Sequence, residues 1–116
     1  MNKTRYKLYE MHAQVCQVFT SPKRLEILDV LRTGACPVGK LARKLRISQA
    51  NLSQHLLVLR EKGVVHTRRD GTTIYYSLAN PKIIKACDII NKMLLENLKR
   101  QKKSASNILT SQRRKR

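Results

Sequence analysis

Apolar residues along this chain recur at two different spacings, and the change from one to the other marks out its elements. Leu8, Met11, Val15, Val18 and Phe19 repeat at three- and four-residue intervals, which predicts a first helix over 6–19. Thr20-Ser21-Pro22 closes that run and opens the next, because Ser suits an N-cap and Pro the first helical turn. The second helix presents Leu25, Ile27, Leu28, Val30 and Leu31 on its apolar face, with Gly34 as its stop. Past Pro37, a third helix over 38–45 buries Val38, Leu41, Ala42 and Leu45. Ser48 then caps a fourth over 49–62, in which Leu52, Leu56 and Leu59 face inward. Beyond Gly63 the spacing falls to two. Residues 64–68 and 73–78 read as strands flanking Asp70-Gly71, a strong two-residue hairpin signal.

Asn80-Pro81 starts the last helix, on which Ile83, Ile84, Cys87, Ile90, Met93, Leu94 and Leu98 form a surface wider than a small domain needs for its own core. A second subunit is expected to cover it, with Leu8, Met11 and Val15 of the first helix. Residues 104–116 turn polar and basic with little apolar period and read as a mobile basic tail behind one domain over 1–103. The expected fold is mainly α and dimeric: five helices with a β-hairpin wing between the fourth and fifth. A helix, a tight turn, a second helix and a hairpin, in that order, make a winged helix-turn-helix.

Charge sharpens this picture. Lys and Arg number 25 against 7 Asp and Glu, for a net charge of +18, far beyond the needs of solubility. Eight of the cations lie from Lys99 onward, so more than half of the net charge belongs to the domain itself. A polyanionic partner follows, and double-stranded DNA fits the side chains offered. Gln49, Ala50, Ser53 and Gln54 lie near the start of the fourth helix, where Gln pairs bidentately with adenine and Ala meets a thymine methyl. Ser48 and Asn51 flank them, Asn51 reaching backbone or phosphate. Lys40, Arg43 and Lys44 on the third helix, with Arg68, Arg69 and Thr73 on the hairpin, supply phosphate contacts.

The segments FTSPKRLEILDVL, VGKLARKLRISQANLSQHLLVLREKGVV and RRDGTTIYYSL together resemble the ArsR (SmtB/ArsR) family of prokaryotic repressors, over roughly Val15 to Leu98. The resemblance implies a homodimer whose first and last helices form the interface, and whose fourth helices enter successive major grooves of an imperfect palindrome. Arg46 departs from the pattern, standing where many helix-turn-helix sequences place Gly, so a turn of another type is expected there. The family's metal sites are also missing. Where its arsenic and cadmium members open the third helix with Cys-Val-Cys-Asp-Leu, this chain has Pro37, Val38, Gly39, Lys40 and Leu41. The zinc members carry histidines on the last helix, whereas between Lys85 and Lys99 this chain has Asp88 and Glu96 and no histidine. The paired cysteines of its sulfur and redox sensors match Asp29 and about Leu95. No metal or cofactor is therefore assigned.

Cys16, Cys36 and Cys87 remain, an odd number without CxxC spacing, and buried structural thiols are their simplest reading. A thiol-based redox or metalloid sensor stays open as an alternative, for instance through a Cys16–Cys87 crosslink at the dimer interface. His12, one turn from Cys16, and His55, beside the buried stripe, read as ordinary surface and packing residues. No nucleophile, base and orienting group occur together, so no enzyme is expected. Scarce aromatics argue against RNA. A sequence-independent architectural DNA binder is the other open class. With charges scattered through the N-terminus and no apolar run of membrane length, a cytoplasmic, nucleoid-associated protein with no membrane partner is expected.

Overall fold

The computed structural model describes residues 2–114, with side chains as far as Thr110. Its elements, in chain order, are α1 (Lys3–Gln17), α2 (Pro22–Val30), β1 (Cys36–Pro37), α3 (Val38–Leu45), α4 (Gln49–Glu61), β2 (Val65–Asp70), β3 (Thr73–Leu78) and α5 (Lys82–Arg114). Single 3-10 turns follow α1 and α2. The chain divides into two compact units, Met1–Ile84 and Lys85–Arg116. The five helices and the wing stand as read from the sequence.

Side chains set the helix starts. Ser21 Oγ accepts the Arg24 amide at 3.3 Å and Ser48 Oγ the Asn51 amide at 3.1 Å, each satisfying a donor with no partner inside its helix. The guanidinium of Arg24 turns back to donate to the carbonyls of Val18 (2.8 Å) and Gln17 (3.2 Å), tying the end of α1 to α2. That clasp has no sequence signature. Lys62 Nζ donates to Gln14 Oε1 at 2.5 Å, a second tie to α1.

The core of the first unit lies where α2, α3 and α4 meet the sheet. Ile27, Leu28, Leu41, Leu52 and Leu59 are completely buried, and Leu31 and Leu56 nearly so. Leu25, expected on the inner face of α2, is instead 38% exposed. Ile84, expected at a subunit interface, is 8% exposed and packs into this core.

Both α3 and α4 end in the same hydrogen-bond pattern. The amide of Ile47 reaches back to the carbonyl of Ala42 at 3.2 Å, and that of Val64 to Leu59 at 2.9 Å. This closure requires a left-handed residue in between, and those residues are Arg46 (φ 56°) and Gly63 (φ 72°). The expectation of a different turn at Arg46 is therefore corrected: the chain keeps the left-handed turn with an arginine in it. Tertiary packing of Ile47 against the core offsets the local cost.

Three further corrections concern the sheet and the C-terminus. The hairpin loop is Gly71-Thr72, because Asp70 pairs with Thr73 inside the ladder. Only Gly71 of the two loop residues has positive φ, so the turn takes glycine first, as a type II′ turn does. A third strand, the two-residue β1, pairs Cys36 with Tyr76 and Pro37 with Tyr75 on the free edge of β3. Finally, α5 runs unbroken to Arg114 where a tail was expected. The segment holds no Gly or Pro, and Ala105, Ile108 and Leu109 continue the spacing of Leu94 and Leu98. Lys115 and Arg116 lie outside the described residues.

The two left-handed turns make opposite predictions in urea denaturation at fixed protein concentration. Arg46→Gly is expected to raise stability by about 0.5–1 kcal/mol, and Gly63→Ala, which would meet no atom within 4 Å, to lower it by about 1 kcal/mol through backbone strain alone. A destabilised Arg46→Gly protein would show that the arginine side chain contributes more than its backbone costs.

Candidate nucleic-acid interface

The buried stripe of Leu52, Leu56 and Leu59 turns the rest of α4 outward. Gln49, Ala50, Asn51, Ser53 and Gln54 are all exposed. At 100° per residue, the line opposite the stripe runs through Ala50, Gln54, Leu57 and Glu61, with Gln49 and Ser53 to one side and Asn51 to the other. Leu57 is 56% exposed on that line, two turns beyond Ala50 and one beyond Gln54. Sequence reading passed over it, because a leucine among leucines looks like core. His55 is half-buried at the edge of the stripe. Ser48 is occupied as the helix cap.

The start of α3 comes close to the tip of the wing. Between them lies a cleft of about 510 Å³ lined by Pro37, Val38, Gly39, Lys40, Arg43, Thr72, Thr73, Ile74 and Tyr75. Lys40, Arg43 and Thr73, assigned separately from the sequence, thus line one groove. Gly39 connects it to α4: a β-carbon there would lie 3.7 Å from Arg43 Nη1 and 3.8 Å from Gln49 Nε2. A cation and a side-chain amide therefore lie over a residue with no side chain. Lys44 and Arg46 are exposed on the same helix and turn.

The two wing arginines do not share a face. In the ladder Arg69 pairs with Ile74, on the face that carries Val65, while Arg68 pairs with Tyr75 on the opposite face. The Arg68 guanidinium lies 4.9 Å from the centre of the Tyr75 ring, a cation–π contact between cross-strand neighbours. Asp70 stands beside Arg69 at the wing tip as an exposed acid. Among the described residues, no ion pair engages Lys40, Arg43, Lys44, Arg68 or Arg69. Their charge is available to an outside partner.

Residues 21–67, which hold α2, α3, α4 and the start of β2, match the family described as bacterial regulatory protein, arsR family. The chain is 38% identical over 80 residues to the transcriptional repressor SdpR of Bacillus subtilis, covering 69% of this chain and 86% of that one. The chain belongs to the ArsR family. To the nodulation protein NolR of Rhizobium meliloti it is 46% identical over 76 residues, 66% of this chain and 62% of NolR. In three dimensions it matches the winged helix-turn-helix DNA-binding domain of Mb0332 from Mycobacterium bovis, a possible ArsR-family regulator that is homodimeric in solution. The TM-score is 0.77 at 26% identity, over 84% of this chain and 91% of that one. This ArsR chain is accordingly a DNA-binding transcription regulator.

The residues expected at a subunit interface and the thiols are distributed as follows. In the first unit, Leu8 (62%) and Met11 (57%) are exposed and Val15 and Ile83 half-buried. In the second, Ile90, Met93 and Leu94 are each about half exposed and Cys87 is intermediate. Cys16 is exposed, whereas Cys36 is 5% exposed in β1, its Sγ 3.6 Å from the carbonyl oxygen of Pro37. No disulfide joins these cysteines. Among the described residues, no three His, Cys, Asp or Glu side chains lie close enough together to hold a metal ion. Among the described residues, no helix is long and apolar enough to cross a membrane.

Burial makes a direct prediction for thiol chemistry. Alkylation followed by peptide mass spectrometry should find Cys36 in the native protein modified at least ~100-fold more slowly than in denaturant, because reaction requires opening of the core. Rapid native labelling of Cys36 would show that β1 detaches readily and would return this thiol to the list of possible sensors.

Proposed function

We propose that this ArsR protein is a homodimeric repressor that reads an imperfect palindrome, inserting one α4 into the major groove of each half-site. The observation that carries the reading is the outward face of α4. It is a neutral surface of Gln49, Ala50, Ser53, Gln54 and Leu57 bordered by the unpaired cations Lys40, Arg43 and Lys44. Base edges need hydrogen-bonding and apolar groups, and phosphates need charge, so this arrangement suits a duplex at both levels. In this reading Gln49 and Gln54 discriminate adenine, and Ala50 and Leu57 meet thymine methyls. Lys40, Arg43 and Thr73 hold the phosphates that border the groove. The wing straddles the next backbone segment with Arg68 on one face and Arg69 on the other.

Two-fold symmetry sets half-site centres about one helical turn, roughly 34 Å, apart. The exposed apolar residues of α1 and α5 support the dimer, as does the homodimeric state of Mb0332. Repression follows from occupying a promoter, in keeping with the names of SdpR and of the biofilm growth-associated repressor of Agrobacterium fabrum. Enzymatic chemistry has no part in this reading, which places the protein with the DNA in the cytoplasm.

The test is fluorescence anisotropy at ~150 mM salt, comparing the duplex upstream of the protein's own gene with a scrambled duplex. A preference of at least ~10³-fold is expected of a regulator acting at its own promoter. Equal binding of both, and of promoter fragments drawn from the rest of the genome, would instead make it an architectural protein. The two kinds of residue then separate by variant. Gln54→Ala should cost about 1–3 kcal/mol on the native duplex and little on the scrambled one. Arg69→Ala should weaken both alike and flatten the salt dependence by about one phosphate contact.

A further inference from the structure

The second unit of the chain is a helix on which charge becomes one-signed past Glu96, since no acid follows that residue. A projection at 100° per residue gathers Lys99, Arg100, Lys102 and Lys103 into an arc of about 160°. One turn further on, Ser106 and Asn107 stand in the same arc. Every residue from Asp88 to Thr110 is exposed, and among the described residues no ion pair engages any of the four cations. Lys99 meets Lys102 and Lys103 at three- and four-residue spacing, where like charges repel across the helix surface. The helix holds this face without an internal partner to neutralise it.

We infer that this face of α5 is a second contact for double-stranded DNA, which grips phosphates without regard to sequence and adds to the contacts of α4 and the wing. The inference stands whether or not α4 reads bases as proposed. Three observations select the occupant. The arc combines ammonium and guanidinium groups with a hydroxyl and an amide, the side chains that phosphates accept bonds from. Thr110 lies in the arc too, but its hydroxyl already donates to the carbonyl of Ser106 at 2.9 Å. The spacing also suits a backbone: Lys99, Lys103 and Asn107 recur about every 6 Å along the helix, and a DNA strand offers a phosphate about every 3.4 Å of its axis. A lipid surface fits less well. Basic helices that lie on membranes anchor themselves by a broad apolar face, and beyond Leu98 this helix has only Ile108 and Leu109 as large apolar residues, set among Gln101, Ser104 and Ala105.

Fluorescence anisotropy of the full-length protein on the native and scrambled duplexes, over a series of salt concentrations, tests this, with helicity checked by circular dichroism. Lys99→Gln/Lys102→Gln/Lys103→Gln removes three charges from the face, and Lys3→Gln/Arg5→Gln/Lys7→Gln removes three from exposed positions of α1. The α5 variant should weaken both duplexes alike, at least ~10-fold at ~150 mM salt, and flatten the slope of log affinity against log salt by at least ~2. The α1 variant should weaken them less than ~3-fold, through the loss of total charge alone. Equal losses from the two variants, or an unchanged slope in the α5 variant, overturn the contact. Vesicles rich in phosphatidylglycerol supply the other arm: if the α5 variant loses them and keeps its duplex affinity, the face belongs to a lipid surface instead. The ratio of native to scrambled affinity judges the reading of α4 separately, because neither variant should move it.

Discussion

Burial of Leu52, Leu56 and Leu59 is the constraint on which the interface depends. Each side chain is at most 1% exposed, and each contributes roughly 1.5–3 kcal/mol by leaving water. Together they fix the rotation of α4 about its own axis, because any other rotation would expose a leucine and bury an amide without a partner. The outward line of Ala50, Gln54 and Leu57 is the consequence. α2, α3 and β2 pack against α4, so the same burial holds the candidate surface at a set height and angle to the cations of α3.

The turn between α3 and α4 shows how that arrangement is kept. Two helix ends in this chain use one closure, and only one of them has glycine in its left-handed position. The closure after α4 faces the sheet and needs nothing but a change of direction, which Gly63 provides. The closure after α3 lies in the candidate interface, where an arginine adds an exposed cation at a backbone cost of about 1 kcal/mol. That is a small fraction of what the leucine stripe contributes, so the fold tolerates it. The same reasoning explains why Arg46 misled a reading based on local preference: the strain is local, whereas Ile47 and the core that offset it are tertiary.

Much of this fold was legible because its elements announce themselves at their ends. Ser21-Pro22, Ser48 and Asn80 are side-chain caps that the structure shows in use or in place, and the period of the leucines did the rest. What escaped has a common cause. β1 is two residues long, one of them proline, and exists only because β3 has a free edge. Asp70-Gly71 is a good turn pair in isolation, but strand register moved the loop by one residue. The C-terminal helix was missed because Ala105 and Ile108 are few among polar neighbours, so its period emerges only when read onward from Leu98. In the interface, residue types were readable and partners were not. The strand was expected to end at Arg68, so Arg69 was not assigned a face until the ladder was seen to run on to Asp70, and nothing local says that Arg43 and Gln49 both approach Gly39.

The distribution of charge leads to a last step. A net charge of +18 gives this protein affinity for any duplex, and on a chromosome that affinity competes with recognition of the operator. In the proposed reading, discrimination then falls to the neutral side chains of α4. Two bidentate contacts per subunit at about 1–3 kcal/mol each give roughly 2–6 kcal/mol. Specific regulators need about 4–10 kcal/mol over nonspecific binding, a range that one subunit reaches only at its best. Two subunits on one palindrome double the discrimination and meet the requirement with ordinary contacts. For a chain this basic, dimerisation is therefore a condition of specificity as well as of covering apolar surface.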